Sequence, residues 1–163
     1  LDIVASYPFE WSNGQETQLA LALNINSSSL ESDASAFLNE EDRFDFENED
    51  PSVRWNLTAN HNVGDLSIMA RARYYGESDN SNSSGNLVIQ TFESTLFMDL
   101  EATYRFTDNW MISVGGRNIF DAYPDRTDKV ASNNDQCCGR QYVSGGIVPW
   151  QGGYYYSRLA VSF

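Results

Sequence analysis

Residues 152–163 read GGYYYSRLAVSF, and the alternation within this stretch decides the fold class. Successive side chains of an extended strand point to opposite faces. Tyr155, Ser157, Leu159, Val161 and Phe163 therefore share one face, and Tyr154, Tyr156, Arg158, Ala160 and Ser162 share the other. Soluble chains usually end in a frayed polar tail. Here the last residue, Phe163, is strongly apolar and in step with the apolar face. The pattern is expected where that face meets lipid and the strand closes a membrane barrel.

The same period of two recurs upstream, broken by turn chemistry. Strands are predicted over 1–11 (Ile3, Ala5, Tyr7, Phe9 and Trp11 on one face), 16–27 (Leu19, Leu21, Leu23 and Ile25) and 52–63 (Val53, Trp55, Leu57 and Ala59). Others follow over 66–75 (Leu66, Ile68, Ala70, Ala72 and Tyr74), 91–106 (Met98, Leu100, Ala102, Tyr104 and Phe106) and 110–119 (Trp110, Ile112 and Val114). With the terminal strand they make seven. Pro8 inside the first strand predicts a bulge or local break.

The connections alternate in length. Short turns fall at 12–15, 64–65 and 107–109, and long loops at 28–51, 76–90 and 121–150. Outer-membrane barrels have short periplasmic turns and long extracellular loops. Aromatics gather where two interfaces belong: Phe9, Trp11, Phe106, Trp110 and Phe163 near the short turns, and Trp55, Tyr74 and Tyr155 near the long loops. A soluble sandwich would have strands of about five or six residues and no reason for loop lengths to alternate by end. The fold class expected is all-β, an antiparallel transmembrane β-barrel segment with the C-terminus periplasmic. An odd strand count leaves the outer two strands parallel, so the sheet cannot close, and open edges are not tolerated in lipid. The expectation is a portion of a larger barrel, the remaining strands coming from another segment or chain.

Composition agrees. Mean hydropathy is −0.46 although aromatics reach 13%, because a barrel strand is only half apolar. The longest useful apolar run, Leu19–Leu23, is far too short for a membrane helix. Net charge of −13 argues against nucleic acid as partner. Residues 30–50 hold nine carboxylates (Glu31, Asp33, Glu40, Glu41, Asp42, Asp45, Glu47, Glu49, Asp50) against Arg43, or eight of the thirteen charges. This reads as a solvated acidic loop; calcium is the sharper alternative, without EF-hand spacing to support it. Cys137 and Cys138 are adjacent, with His61 in a distant strand as the sole histidine, so no metal set is expected. They form a vicinal disulfide or pair outside the chain, either of which suits an oxidising location. The chain opens directly on a strand without a signal peptide, as expected of a mature protein or a piece of one. No Ser/His/Asp set is present, and alternation points His61 at lipid, so no enzyme activity is expected.

The block VGGRNIFDAYPDR (Val114–Arg126), followed by GGYYYSRLAVSF, resembles the C-terminal end of TonB-dependent outer-membrane receptors; DIVASYP (2–8) and LEATYRF (100–106) resemble the same family. The resemblance implies a barrel of about 22 strands around an N-terminal plug, of which this chain supplies the last seven strands and three extracellular loops but no plug. It implies a Gram-negative outer-membrane receptor for a scarce nutrient: siderophore-iron, cobalamin, oligosaccharide or similar. TonB would drive import by pulling on the plug. The partners implied are the other strands, the plug, the TonB complex, outer-membrane lipid and the barrel-assembly machinery. Tyr155, Leu159, Val161 and Phe163 match the terminal signature that machinery reads, and the same residues suit plain lipid contact. The alternative is a passive porin-like or structural barrel, which a plug-like domain upstream would exclude.

Inward charges are expected to form a ladder, with Arg71 opposite Thr58, Asp99 opposite Arg117, and Arg71 and Arg73 meeting Glu101 and Asp99. Such pairs brace the wall or contact a plug; the alternative is a track for anionic substrate. Arg140, Tyr142 and Trp150, in the last long loop beside the cysteines, are ligand-contact candidates, although loop aromatics also simply pack on one another.

Overall fold

The computed structural model describes residues 1–31, 37–81, 87–127, 141–143 and 146–163. Its strands are β1 (Asp2–Glu10), β2 (Glu16–Ile25), β3 (Val53–Val63), β4 (Leu66–Tyr75), β5 (Ser78–Ser81), β6 (Ile89–Phe92), β7 (Thr95–Thr107), β8 (Trp110–Arg117) and β9 (Tyr154–Val161), with one helix, α1 (Glu40–Asn48), between β2 and β3. Seven strands make one sheet in the order β1-β2-β3-β4-β7-β8-β9, and β5 and β6 form a separate hairpin. Every pairing is antiparallel. Apart from the inserted β5–β6 hairpin, chain neighbours are sheet neighbours.

Two glycines make the tight turns. Gly14 (φ 79°) and Gly64 (φ 56°) take left-handed conformations that cost other residues energy. Gly14 N donates to Trp11 O at 3.0 Å, closing the first turn. The remaining short turn is capped by the Thr107 hydroxyl, which accepts from Asn109 N and Trp110 N.

The register carries alternation across the whole sheet. Leu57 lies between Leu21 and Ala72, and Leu100 between Ala70 and Gly116, while Tyr155 in turn faces Gly116. One face is thus apolar from β1 to β9. The other carries Asn24, Arg54, Asn56, Arg71, Arg73, Asp99, Glu101 and Arg158. A sheet of this kind has little interior of its own: among the described residues the large buried apolar side chains are Phe92 and Phe97, with Pro51 also buried. The apolar face is exposed, with Leu19, Leu57, Leu100, Ile112 and Leu159 each open over more than a third of their surface.

The few polar groups on that face satisfy one another. Trp11 Nε1 donates to Thr17 Oγ1 at 2.8 Å, and Thr17 Oγ1 lies 2.7 Å from His61 Nδ1. His61 therefore sits on the apolar face near the short turns, hydrogen-bonded within the wall.

Three expectations are corrected. The acidic stretch is not all loop: Asn39 Oδ1 accepts from Asp42 N at 2.7 Å and caps α1, whose first turn holds Glu40, Glu41 and Asp42, where a helix dipole favours carboxylates. The stretch 76–90 contains both strands of the β5–β6 hairpin apart from its last residues, so the following sheet strand starts at Thr95 rather than 91. Pro8 causes no bulge. The β1–β2 register runs unshifted from Asp2↔Asn24 to Glu10↔Glu16, and β1 is an edge of this sheet, where a missing N–H is tolerated. The one irregularity in the sheet lies between Arg105 and Thr107, in the β7–β8 pairing.

Candidate functional site

Three groupings concern function: the polar face of the sheet, the turn that joins β8 to β9, and the cluster formed by the long loops.

On the polar face, side chains form hydrogen-bonded rungs across strands. Asn24 Nδ2 donates to Asp2 Oδ1 at 2.7 Å, and Asn24 Oδ1 accepts from Arg54 Nη2 at 3.0 Å. Arg71 Nε reaches Thr58 Oγ1 at 3.3 Å, the partner that alternation and turn position had given it. Arg73 pairs with Asp99 at 3.1 Å, its guanidinium also lying 5.3 Å from the Phe97 ring centroid. Asp99 is 2% exposed, so this is a buried ion pair.

The rest of the ladder differs from expectation. Register sets Arg71 opposite Asp99 and Met69 opposite Glu101, yet the ion pair formed is the diagonal Arg73–Asp99, and the carboxylate of Glu101 is not shared with Arg71. Glu101 turns the other way, accepting from Tyr156 Oη at 2.5 Å and lying 3.6 Å from Arg158. The tyrosine and arginine come from β9, two strands over in the opposite direction from β4, and reach past the side-chain-free Gly115 of β8, whose Cβ would lie 2.8 Å from the Tyr156 ring. Arg117 is exposed and forms no ion pair with Asp99, whose Oδ1 is taken by Arg73 and by Asn118 N. Thr103 and Ser113 hydroxyls, 2.8 Å apart, complete the rungs.

The Arg-Asn-Ile-Phe-Asp block folds as a pinned turn. Asn118 (φ 49°) and Asp121 (φ 53°) both take left-handed backbone, which Asn and Asp tolerate better than most residues. Asn118 is buried: Nδ2 donates to Ala122 O and Gln151 O, Oδ1 accepts from Ala122 N, and its main-chain N–H donates to Asp99 Oδ1 at 2.9 Å. Asp121 Oδ1 accepts from Gly153 N at 2.7 Å. A Cβ on Gly153 would lie 2.4 Å from Asn118 O, so β9 enters the sheet against this turn only as glycine. Nothing in the alternation of apolar residues foreshadows this; two left-handed Asx positions in one short block are the signal that could have.

In the loop cluster, Tyr142 and Trp150 do come together, and Tyr123, which sequence reasoning passed over, joins them. Tyr123–Tyr142 and Tyr142–Trp150 centroids are each 6.3 Å apart with planes 10° and 13° from parallel. Asp121, hydrogen-bonding the Tyr123 hydroxyl, raises the phenol pKa above its ordinary 10.0. The space enclosed between this loop, Pro51, Phe92 and Pro124 is about 40 Å³, room for about one water rather than an organic ligand. The stack therefore fastens loops together, with Trp150 58% and Tyr123 46% exposed. Arg140, Cys137 and Cys138 lie outside the described residues.

The acidic carboxylates near α1 serve main-chain donors: Asp45 Oδ1 accepts from Ser81 N at 2.6 Å and Glu47 Oε1 from Leu30 N at 3.0 Å. Among the described residues no three of His, Cys, Asp or Glu are grouped as metal ligands would be. At the terminus, Tyr155, Leu159 and Val161 lie on the apolar face opposite Gly116, Ile112 and Trp110. Phe163 follows β9 and is fully exposed. Tyr155 Oη also donates to Ile119 O at 3.0 Å, tying β9 to the pinned turn.

Two crystal structures of mutant forms of the ferric enterobactin receptor from Pseudomonas aeruginosa share this architecture, with TM-scores of 0.64 and 0.62. The sheet has the fold of a TonB-dependent receptor barrel wall. Each match covers 99% of this chain and 22% of the receptor at 20% identity, so the chain spans about a fifth of the receptor's length. No protein-family model and no curated protein matches the sequence. At that identity the likeness carries the fold.

Proposed function

We propose that this chain is part of the wall of a TonB-dependent outer-membrane receptor that binds a scarce nutrient at the cell surface and passes it to the periplasm. The observation that carries the reading is the apolar face that continues unbroken from Ile3 in β1 to Leu159 in β9, in a sheet that overlays a receptor barrel along nearly its whole length. On this reading the long loops are extracellular, the short turns and Phe163 periplasmic, and the polar face looks into a plugged interior. Arg73–Asp99 and Glu101–Tyr156–Arg158 then brace the wall, Trp150 offers a ligand contact, and the terminal aromatic strand is what the assembly machinery engages. The rest of the barrel, the plug and the TonB contact belong to the remainder of the receptor.

Nitroxide labels at Leu21, Leu57 and Leu100 in the assembled protein, in bilayers, test the topology. Collision with lipid-soluble oxygen but not with a water-soluble nickel chelate is expected; the reverse preference would remove the membrane face and the proposal with it. Uptake of the nutrient that is abolished by a protonophore separates energised import from passive passage.

A further inference from the structure

The connection from β8 to β9 runs from residue 118 to residue 153, so no tight turn counts out the register between these strands. The pinned turn holds one end of the pair. Along the strands, two further contacts are built alike on opposite faces of the sheet.

Gly115 stands opposite Tyr156, and Gly116 opposite Tyr155. A Cβ at position 115 would lie 2.8 Å from both Cζ and Oη of Tyr156, and one at position 116 would lie 2.7 Å from Cδ1 of Tyr155. Each ring therefore takes the space that a side chain on β8 would fill, Tyr156 on the polar face and Tyr155 on the apolar face. Both hydroxyls are then caught beyond the glycine. Tyr156 Oη donates to Glu101 at 2.5 Å, and Glu101 is the β7 residue paired with Gly115, so tyrosine, glycine and carboxylate form one straight row. Tyr155 Oη donates to Ile119 O at 3.0 Å.

The sequence of β8, WMISVGGR, holds this one pair of glycines. A slip of two residues would keep the faces but set Tyr156 against Ser113 or Arg117, and Tyr155 against Val114 or Asn118. Each of those residues has a Cβ where the ring must lie. A slip of one residue would turn Leu159 and Val161 onto the polar face. An aromatic ring laid over a glycine of the neighbouring strand is one of the devices that pin register in a sheet.

We infer that Gly115–Tyr156 and Gly116–Tyr155 form a two-faced joint that selects the register in which β9 pairs with β8. Tyr155 and Tyr156 are thus positioning residues for the last strand, in addition to bordering the two faces of the wall. The joint depends on strand pairing alone, so it stands or falls separately from what the barrel transports.

Cysteine cross-linking in the full-length protein, assembled in its membrane and lacking Cys137 and Cys138, tests the joint. Ile112→Cys is combined in turn with Leu159→Cys, its partner in the observed register, and with Ser157→Cys or Val161→Cys, its partners after a slip of two. The parent is expected to cross-link through Leu159→Cys at least tenfold more than through the other two. Tyr155→Leu/Tyr156→Leu is expected to reduce that preference to threefold or less; if this pair does not assemble, each single Leu variant is read in the same way. Gly116→Ala is expected to lower assembled protein several-fold, and adding Tyr155→Ala to recover at least half of the loss, a rescue that a glycine needed only for its backbone would not show. Equal yields from the three reporters in the parent, an undiminished preference in the Leu variants, or an absent effect or rescue at Gly116 overturns the joint.

Discussion

The main-chain N–H of Asn118 donates to the buried carboxylate of Asp99 at 2.9 Å, and the same oxygen accepts from Arg73 at 3.1 Å. One carboxylate thus joins β4, β7 and the turn leaving β8. It draws the start of the last long connection onto the middle of the sheet, and the position of β9 depends on it through Asn118 and Gly153.

Asp99→Ala would strand the Arg73 guanidinium and leave Asn118 N unpaired. Breaking a buried pair by removing one partner costs about 3–5 kcal/mol. A loss near the lower end is expected here, because the Arg73 side chain is 23% exposed. Asp99→Asn, which keeps an acceptor, should lose less than half as much. Urea unfolding of the barrel in lipid vesicles measures both, and matching midpoints for Ala and wild type would contradict the assignment.

Gly153→Ala places a methyl group against backbone that cannot move aside, the contact being 2.4 Å to Asn118 O. A sharp drop in folded, heat-modifiable protein is expected on gels. Gly14→Ala meets open space and suffers only for its φ of 79°, a cost of about 1 kcal/mol. Similar yields for the two would show that the β8–β9 turn is not packed as described.

Leu57→Arg and Asn56→Arg add the same side chain one residue apart, on opposite faces of β3. On the lipid side of a barrel near mid-bilayer, arginine costs about 2–4 kcal/mol. Leu57→Arg is expected to destabilise by that order and Asn56→Arg by less than about 1 kcal/mol if, as proposed, the polar face lines a wet or plugged interior. Equal penalties in an unfolding titration would invert the two faces.

Tyr156→Phe removes the hydroxyl that Glu101 accepts, and Glu101→Gln removes the charge facing both Tyr156 and Arg158. Each change is expected to cost about 1 kcal/mol. The double variant should cost clearly less than the sum, because one interaction is shared. Strict additivity in the cycle would mean that the two side chains do not interact in the assembled wall.

Much of the wall could be read from the sequence because a strand's faces follow from parity alone. Leu19, Leu21, Leu23, Leu57 and Leu100 had to share a face once the short turns were placed, and Thr58 had to face Arg71 because a two-residue turn fixes register. The loops obey no such rule. The α1 segment holds five carboxylates in nine residues and lacks an apolar stripe, so alternation and period read it as loop. The stacking of Tyr123 on Tyr142 and Trp150 joins residues far apart in an irregular connection, where no period exists to extrapolate.

By itself, then, the sequence determined the seven strands of the main sheet, their pairing partners and which face of each is apolar, since those depend on local alternation and turn length. Only the tertiary structure decided which carboxylate each arginine meets. Register brings Arg71 opposite Asp99, but side chains as long as arginine reach diagonally as easily as straight across, so Arg73 takes Asp99 and Glu101 is left to Tyr156 and Arg158. That choice is settled by competition among neighbours in three dimensions, and it is what leaves Arg54 and Arg71 on the polar face with only neutral partners.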